Sequence, residues 1–136
     1  MTSDRRQDRS THVIPLLGAL AIASAVTLCG CVQRPVEPKW ANFGGDPARG
    51  AVLIGRASCG ACHEMSGIEG ANGQVGPPLG TFAHRTMIAG VLPNTPGNLV
   101  YWLRHPQAVV PGNAMPDVGL SDAQARDIAA YLYAER

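Results

Sequence analysis

The most informative stretch of this chain is Cys59-Gly60-Ala61-Cys62-His63, a C-x-x-C-H pattern near the middle of the sequence. Two thiols at this spacing on a tight turn can reach the two vinyl groups of one haem and form thioether bonds. The adjacent His63 can then place its imidazole under the ring, where it binds iron. The pattern therefore predicts one covalently bound haem c, attached through Cys59 and Cys62, with His63 as an iron ligand.

The same cysteine spacing has three alternative interpretations. A thioredoxin-like redox pair would need a βαβ context, and the flanking sequence contains no strand-rich stretch. Half of a zinc site would need a second pair of ligands, and the later histidines, His84 and His105, are not paired. We expect both of these histidines to lie on the surface. Chance occurrence of a five-residue string is the third alternative.

A haem iron also needs a sixth ligand unless it keeps an open site, and methionine sulfur is one option. Met65 follows His63 by only two residues, so its sulfur cannot easily reach the opposite face of the ring. Met87 lies in an apolar stretch and is expected to fill the core. Met115 lies in residues 111–116, which contain two prolines and a glycine. A stiff loop of this kind can hold one sulfur in place, which favours Met115.

Length and composition indicate one small domain with few aromatic residues. A chain of 136 residues suggests one domain, and a formal net charge of +1 gives no reason to expect nucleic-acid binding. There are two Trp, three Tyr and two Phe, so few aromatic rings are available to build a core. A small domain of this kind usually needs an additional stabilising element, and a covalent cofactor would supply it.

The N-terminus predicts export. Arg5 and Arg6 precede an apolar run over residues 13–28, which is short for a membrane span and typical of a secretory signal. The run ends in Leu28-Cys29-Gly30-Cys31, which resembles a bacterial lipobox. An ordinary secretory signal or a short uncleaved anchor are the alternatives.

The lipobox resemblance implies lipidation at Cys31, and together with the prolines and glycines that follow it the sequence predicts three segments. Residues 1–30 form a lipoprotein signal peptide, and residues 31–45 form a lipidated N-terminus and flexible tether that begins at Cys31. Residues 46–136 form the folded domain. We therefore expect an exported protein that is lipid-anchored on the periplasmic side of a bacterial membrane.

Helix signals predict an all-α domain with three main helices. Asp46 followed by Pro47 begins a helix over 47–58. Thr95 followed by Pro96 begins a second helix over 96–104, which Pro106 ends. Ser121 with Gln124 forms a capping box for a third.

Between these helices the sequence predicts loops. A short turn of helix is expected near 85–89, and no strand pattern is visible. Residues 64–84 contain five glycines and two adjacent prolines, which indicates a loop. A loop of that length is expected to wrap a ligand, and haem is the obvious ligand.

Several short strings in order resemble class I cytochrome c, and most specifically the cytochrome c domain of subunit II in caa3-type cytochrome c oxidases. The strings are Cys59-Gly60-Ala61-Cys62-His63, Gly76-Pro77-Pro78-Leu79, Ile88-Ala89-Gly90-Val91-Leu92-Pro93-Asn94-Thr95-Pro96, Asn98-Leu99, Trp102-Leu103, Pro106-Gln107, Pro111-Gly112-Asn113, Met115-Pro116 and Leu120-Ser121-Asp122. The resemblance covers residues 46–136. No cupredoxin-like strands precede it, so it implies the haem module without the copper-binding half of subunit II.

The resemblance implies a small fold of three main helices and loops wrapped around one covalently bound haem, with His63 and Met115 as axial ligands. It implies that Pro77 lies beside His63, near a backbone carbonyl that fixes the imidazole. It implies that Arg85 and Trp102 donate to haem propionates. The alternatives are a solvated surface charge for Arg85 and core packing for Trp102.

The resemblance also implies where the first and last helices cross. Gly50 and Ile54 would meet Ile128 and Tyr131 at this crossing.

The function implied is one-electron transfer in a respiratory chain rather than substrate chemistry, because two axial ligands leave the iron closed. A quinol-oxidising complex or a dehydrogenase would supply the electrons and a terminal oxidase would accept them. Two alternatives remain. The protein could be a fixed haem subunit of a larger oxidase or dehydrogenase complex, or a peroxidase-like haem enzyme.

Overall fold

The computed structural model describes residues 43–135, and α-helices carry most of the regular structure in this segment. The helices are α1 (Pro47–Arg56), α2 (Pro96–Arg104), α3 (Pro106–Val109) and α4 (Asp122–Ala134). Two short strands, β1 (Met87–Ile88) and β2 (Leu92–Pro93), and two 3₁₀ turns, Cys59–Ala61 and Phe82–His84, complete the order. The predicted signal peptide, Cys31 and nearly all of the predicted tether lie outside the described residues.

The three predicted helix starts are confirmed. The Asp46 carboxylate accepts hydrogen bonds from the backbone N–H groups of Ala48 and Arg49 at the start of α1. The Thr95 hydroxyl accepts one from the Asn98 N–H at the start of α2. Ser121 and Gln124 form the capping box of α4, with both reciprocal hydrogen bonds present. Each cap satisfies backbone donors that the first helical turn leaves unpaired.

The first helix is shorter than the predicted 47–58. It ends at Arg56, and Ser58 adopts the left-handed conformation with φ +55°. This reversal leads directly into the 3₁₀ turn that carries Cys59. The cysteine motif is therefore held by a turn of its own instead of continuing the helix.

The short helical turn expected near 85–89 is wrong. Met87 and Ile88 form strand β1, which pairs antiparallel with β2. Ala89 and Gly90 both have positive φ, +50° and +74°, and reverse the chain between the strands. Two-residue strands carry too little alternation for a period of two to show in the sequence.

A second difference is α3. Pro106 follows the end of α2 as predicted, but it also occupies the first position of another helix. Proline has no N–H to lose at this position, so it can end one helix and begin the next.

The first and last helices cross with their backbones in close contact at Gly50. A Cβ atom on Gly50 would lie 2.1 Å from the backbone oxygen of Asp127 and 2.9 Å from the Cβ of Tyr131. One turn further on, Ile54 and Ile128 are each 1% exposed in the core. This is the crossing that the family resemblance implied, and it holds the two ends of the domain together.

We expect Gly50→Ala to destabilise the protein by about 3 kcal/mol, the upper end for overpacking a closely fitted site. Gly55→Ala is the matched control in the same helix, because a Cβ atom on Gly55 would meet nothing within 4 Å. That control should be neutral or stabilise by up to about 1 kcal/mol, since alanine favours the helix. Chemical denaturation of the two variants measures the difference, and equal stability would contradict a backbone contact at Gly50.

Asp127 is a buried carboxylate that ties α4 to the start of α1. Its oxygens accept hydrogen bonds from the Asp46 backbone N–H and from two nitrogens of the Arg49 guanidinium, each at 2.8 Å. The hydrogen bond with Arg49 lowers the pKa of Asp127, and the Asp46 N–H adds to the effect, while burial opposes it. Three donors to one carboxylate compensate its removal from water.

Stability should therefore fall on acidification. The carboxyl of Asp127 has a lower pKa in the folded protein than in the unfolded chain. Its contribution to the free energy of unfolding is therefore complete above the ordinary Asp pKa of about 3.9. That contribution is lost as the pH falls through the folded pKa. Thermal unfolding measured between pH 7 and pH 2 should show a weaker pH dependence in Arg49→Gln than in the wild type. An unchanged profile in the variant would exclude this pair as a source of the acid sensitivity.

Two buried tyrosines of α4 fasten the loops. The Tyr131 hydroxyl donates to the backbone oxygen of Ser66, and the Tyr133 hydroxyl donates to Oδ1 of Asn94. The Asn94 amide in turn donates to the backbone oxygens of Phe82 and Arg85. Burial is the main cause that raises the pKa of each tyrosine to about 12, so both remain donors at neutral pH.

Across residues 43–135, none of the helices combines the length and the apolar composition that a membrane crossing requires.

Candidate haem site

A cavity of about 310 Å³ lies between the helices and the loops, and its lining is mostly apolar. We refer to it as the main cavity. All of the described residues predicted for the cofactor site line it, namely Cys59, Cys62, His63, Pro77, Arg85, Trp102 and Met115. Core side chains complete the walls, among them Ile54, Leu99, Leu103, Ile128 and Leu132. The fold thus brings together residues that are spread over more than fifty positions of sequence.

The two cysteines are presented by the turn that follows α1. The N–H groups of Cys62 and His63 both donate to the backbone oxygen of Cys59, which closes the turn. Both thiols are free and half-buried at the cavity wall. Burial raises the pKa of the Cys59 thiol.

A raised thiol pKa is the reverse of what a redox-active cysteine pair needs, because the reactive form is the thiolate. This disfavours the thioredoxin-like alternative. The zinc alternative also lacks support, because no group of three His, Cys, Asp or Glu side chains within residues 43–135 is placed to hold a metal ion.

His63 is oriented by a single backbone contact. Its Nδ1 lies 2.8 Å from the backbone oxygen of Pro77. A carbonyl oxygen can only accept, so Nδ1 is the donor, and in the neutral imidazole the lone pair is then on Nε2. This is the tautomer and orientation that a metal-binding imidazole requires.

Gly76 is a functional position that the sequence did not reveal. A Cβ atom there would lie 2.2 Å from Cε1 and 2.5 Å from Nδ1 of His63. The Gly76 N–H also donates to the backbone oxygen of Cys62, at 2.8 Å. Only glycine allows the chain to pass this close to the imidazole. The Gly-Pro-Pro string was visible in the sequence, but it gave no indication of which ring the glycine would touch.

Two amide side chains hold the Met115 loop. The Gln107 Nε2 donates to the backbone oxygens of Asn113 and Met115, and Gln107 Oε1 accepts from the Gly112 N–H. The Asn113 Oδ1 accepts from the Met115 N–H, and its Nδ2 donates to the backbone oxygens of Pro106 and Val110. The stiffness predicted from the prolines therefore comes largely from Gln107 and Asn113, whose roles could not be predicted from the sequence.

The other two methionines differ from each other in burial. Met65 is 4% exposed and lines the main cavity. Met87 is 41% exposed and does not line it, so the expectation that Met87 fills the core is wrong. The reason is the strand: successive residues of β1 point to opposite sides, and Ile88 takes the buried side.

Arg85 and Trp102 lie at the cavity as half-buried residues. The Arg85 Nη2 donates to the backbone oxygen of Pro78, and its guanidinium lies 5.7 Å from the centre of the Phe82 ring. His84 is exposed as expected. His105 is half-buried, with its ring 5.1 Å from that of Tyr101, so it is less exposed than expected. Neither histidine lines the main cavity.

These observations fit haem c. The apolar lining suits a porphyrin, two free thiols lie at the wall, and an imidazole with an available Nε2 follows them. Each is a property of residues present in this chain.

Comparison with known proteins agrees with the site. The family model for cytochrome c matches residues 47–134. Cytochrome c oxidase subunit 2 of Alkalihalophilus pseudofirmus is 37% identical over 87 residues, covering 62% of this chain and 24% of that protein. The same subunit of Bacillus sp. strain PS3 is 35% identical over 92 residues, covering 64% and 26%. The match thus spans about a quarter of the length of these relatives.

Among solved structures, cytochrome c2 of Rhodobacter sphaeroides is similar with 24% identity, 65% coverage of this chain, 94% coverage of that chain and a TM-score of 0.46. The resemblance to class I cytochrome c and to the oxidase subunit 2 domain is confirmed by the family model and the relatives. A cytochrome c domain implies covalently bound haem c and haem-based electron transfer. On the match over residues 47–134, this chain belongs to the cytochrome c family.

Proposed function

We propose that this protein is a membrane-anchored one-electron carrier that holds one haem c between His63 and Met115 and donates to a terminal oxidase. The observation that carries the proposal is that Cys59, Cys62, His63 and Met115 all line one mostly apolar cavity. The sequence contains one C-x-x-C-H motif, which supports one haem. When bound, the haem supplies an iron that alternates between two oxidation states.

The chain's own residues bind the cofactor and set its properties. Cys59 and Cys62 attach it, and the Pro77 carbonyl keeps the Nε2 lone pair of His63 available. The loop held by Gln107 and Asn113 positions the Met115 sulfur. If His63 and Met115 both bind the iron, the haem would have no open position for a substrate. This supports electron transfer over a peroxidase-like reaction.

The apolar surroundings would favour the reduced state of a bound haem. The apolar wall would disfavour the additional positive charge of an oxidised iron, and the Met115 thioether would raise the reduction potential further if it binds the iron. A fairly high reduction potential suits donation to a terminal oxidase. We assign Arg85 and Trp102, both at the cavity, to the haem propionates.

The anchor and the partners rest on the sequence and on the relatives. A lipid on Cys31, with residues 31–45 as tether, would hold the carrier on the periplasmic side of the membrane and raise its effective concentration near membrane complexes. The matched relatives are named cytochrome c oxidase subunit 2, which supports an oxidase as acceptor. A quinol-oxidising complex or a dehydrogenase would be the donor.

The relatives' name, cytochrome c oxidase subunit 2, also supports a second candidate function, a haem subunit fixed within a larger complex. A mobile carrier and a fixed subunit have the same cofactor site. They differ in whether the protein separates from its partner during purification.

The test uses the full-length haem-loaded protein from its own membranes. We expect the reduced protein to be rapidly reoxidised by oxidase-containing membranes, to bind carbon monoxide slowly at neutral pH, and to purify free of other subunits. Cys31→Ser should lose the covalent lipid that mass spectrometry detects on the wild type, while its haem spectrum stays the same. Rapid carbon monoxide binding would contradict a closed iron, and copurification with an oxidase at fixed stoichiometry would contradict a mobile carrier.

A further inference from the structure

Asn94 lies at the centre of a partly buried hydrogen-bond network beside the main cavity. It follows strand β2, and its backbone N–H donates at 2.9 Å to the backbone oxygen of Thr86, the residue that precedes β1. The pairing of β1 with β2 therefore brings Asn94 next to the segment that leads into β1. Asn94 itself does not line the main cavity, so any effect it has on the cofactor site passes through other residues.

The oxygen and both N–H bonds of the Asn94 amide are engaged. Its Nδ2 donates to the backbone oxygen of Phe82 at 3.1 Å and to that of Arg85 at 2.9 Å. Its Oδ1 accepts from the Tyr133 hydroxyl at 2.7 Å. The two backbone carbonyls can only accept, which fixes the orientation of the amide, and the Tyr133 hydroxyl donates to the oxygen that remains. Tyr133 and the two carbonyls thus hold the amide in one position.

The two carbonyls belong to the turn that presents Arg85 to the cavity. The backbone oxygen of Phe82 also accepts from the Arg85 N–H, at 3.1 Å, and this closes the 3₁₀ turn Phe82–His84. The Phe82 ring is buried and contacts the Tyr133 ring edge to face, with 5.9 Å between the ring centres. The Arg85 guanidinium lies 5.7 Å from the centre of the Phe82 ring and donates to the backbone oxygen of Pro78. The position of Arg85 therefore depends on the turn that Asn94 and Tyr133 hold.

Arg85 carries the only permanent positive charge at the cavity wall within residues 43–135. The described residues that line the main cavity include no lysine, no other arginine and no aspartate or glutamate. A charge beside an apolar space acts more strongly than the same charge in water, because the surroundings screen it less. A guanidinium held at this wall would disfavour the additional positive charge of an oxidised iron. Its placement would therefore influence the reduction potential of a bound haem.

We propose that Asn94 and Tyr133 are positioning residues that hold Arg85 at the main cavity and so raise the reduction potential of a bound haem. The proposal rests on the proposed function, in which Arg85 is assigned to the haem propionates. The Tyr133 hydroxyl orients the Asn94 amide, and the amide holds the backbone on both sides of the turn that ends at Arg85. The last turn of α4 is thereby connected to the charge at the cofactor site, although neither Asn94 nor Tyr133 lines the cavity.

Potentiometry of the full-length haem-loaded protein tests the proposal. Arg85→Gln should lower the reduction potential, because it removes the positive charge. Tyr133→Phe removes one hydroxyl and keeps the ring, and it should lower the potential in the same direction by a smaller amount. Tyr131→Phe is the matched control, since it removes a comparably buried hydroxyl of the same helix that donates to the backbone oxygen of Ser66. Both tyrosine variants should lose stability, because each leaves a buried acceptor without its donor, but only Tyr133→Phe should change the potential.

A double variant separates positioning of Arg85 from a direct effect on the haem. In the Arg85→Gln background, Tyr133→Phe should cause no further shift of the potential, because the hydroxyl acts through Arg85. A shift as large as in the wild-type background would overturn the proposal, as would an equal shift in Tyr131→Phe. An unchanged potential in Tyr133→Phe beside a lowered one in Arg85→Gln would overturn this proposal alone. An unchanged potential in Arg85→Gln would overturn the assignment of Arg85 to the haem as well.

Chemical modification measures the position of Arg85 without reference to the potential. Phenylglyoxal reacts with accessible guanidinium groups, and mass spectrometry of the treated haem-loaded protein identifies the modified arginines. We expect Arg85 to react several-fold faster in Tyr133→Phe than in the wild type, and at the wild-type rate in Tyr131→Phe. Equal rates in Tyr133→Phe and the wild type would overturn the proposal. Neither measurement depends on the redox partner or on lipidation of Cys31.

Discussion

Replacing Met115 with alanine should abolish the sulfur-to-iron absorption band and lower the reduction potential by at least about 0.1 V, within the roughly 0.8 V range that axial ligands span. Haem attachment should survive, because Cys59, Cys62 and His63 are unchanged. The reduced variant should also bind carbon monoxide rapidly, since the sixth position opens. Absorption spectroscopy, potentiometry and carbon monoxide binding measure the three effects.

Met87→Ala is the matched control for Met115→Ala. It removes the same side chain from an exposed position outside the main cavity, so the band and the potential should stay as in the wild type. Met65 is the methionine that could contradict the assignment, because it is buried and lines the same cavity. If the band persists in Met115→Ala and disappears in Met65→Ala, the ligand assignment is wrong.

Gly76→Ala should reduce the yield of haem-loaded protein by about tenfold, the lower end of what altering the support of a metal ligand costs. The added methyl group would lie 2.2 Å from Cε1 of His63, so the imidazole would have to turn away from the Pro77 carbonyl. The haem that does load should show an altered spectrum, because His63 would no longer hold its orientation. Haem content per polypeptide, measured after purification, gives the size of the effect.

The matched control is Gly80→Ala in the same loop. Its new Cβ would meet only the Ser66 hydroxyl at 3.7 Å, an ordinary contact. Haem content should therefore stay near the wild-type value. Equal loading of the two alanine variants would show that the close approach at Gly76 does not position His63.

The features that could be predicted from sequence are those carried by neighbouring residues. The haem motif is five consecutive positions, and each helix cap is settled within three residues of its start, as Asp46, Thr95 and Ser121 show. The glycines and prolines of residues 64–84 indicated a loop in the same way. Local chemistry of this kind needs no knowledge of the rest of the fold.

The sequence-based predictions were wrong where burial and contacts between distant segments determine the local structure. Met87 lies in an apolar stretch, yet the register of β1 turns it to solvent and turns Ile88 inward. Strand β1 lies where a helical turn was expected. Its pairing with β2 is a contact between two segments, and the sequence of neither segment alone predicts it. Helix α3 could not be predicted for a related reason, because Pro106 is typical of a helix end and only the structure shows that it also begins the next helix.

The residues predicted to carry the cofactor can be identified from local sequence: two thiols, the histidine beside them and a methionine in a loop with two prolines. The contacts that support those residues come from distant segments and are seen only in the fold. The carbonyl of Pro77 reaches His63 across 14 positions, Gly76 makes room for the ring, and Asp127 joins α4 to Asp46 across 81 positions. The physical reason is that covalent spacing and capping act within a few residues, whereas close approach and burial depend on segments that meet only in the folded chain.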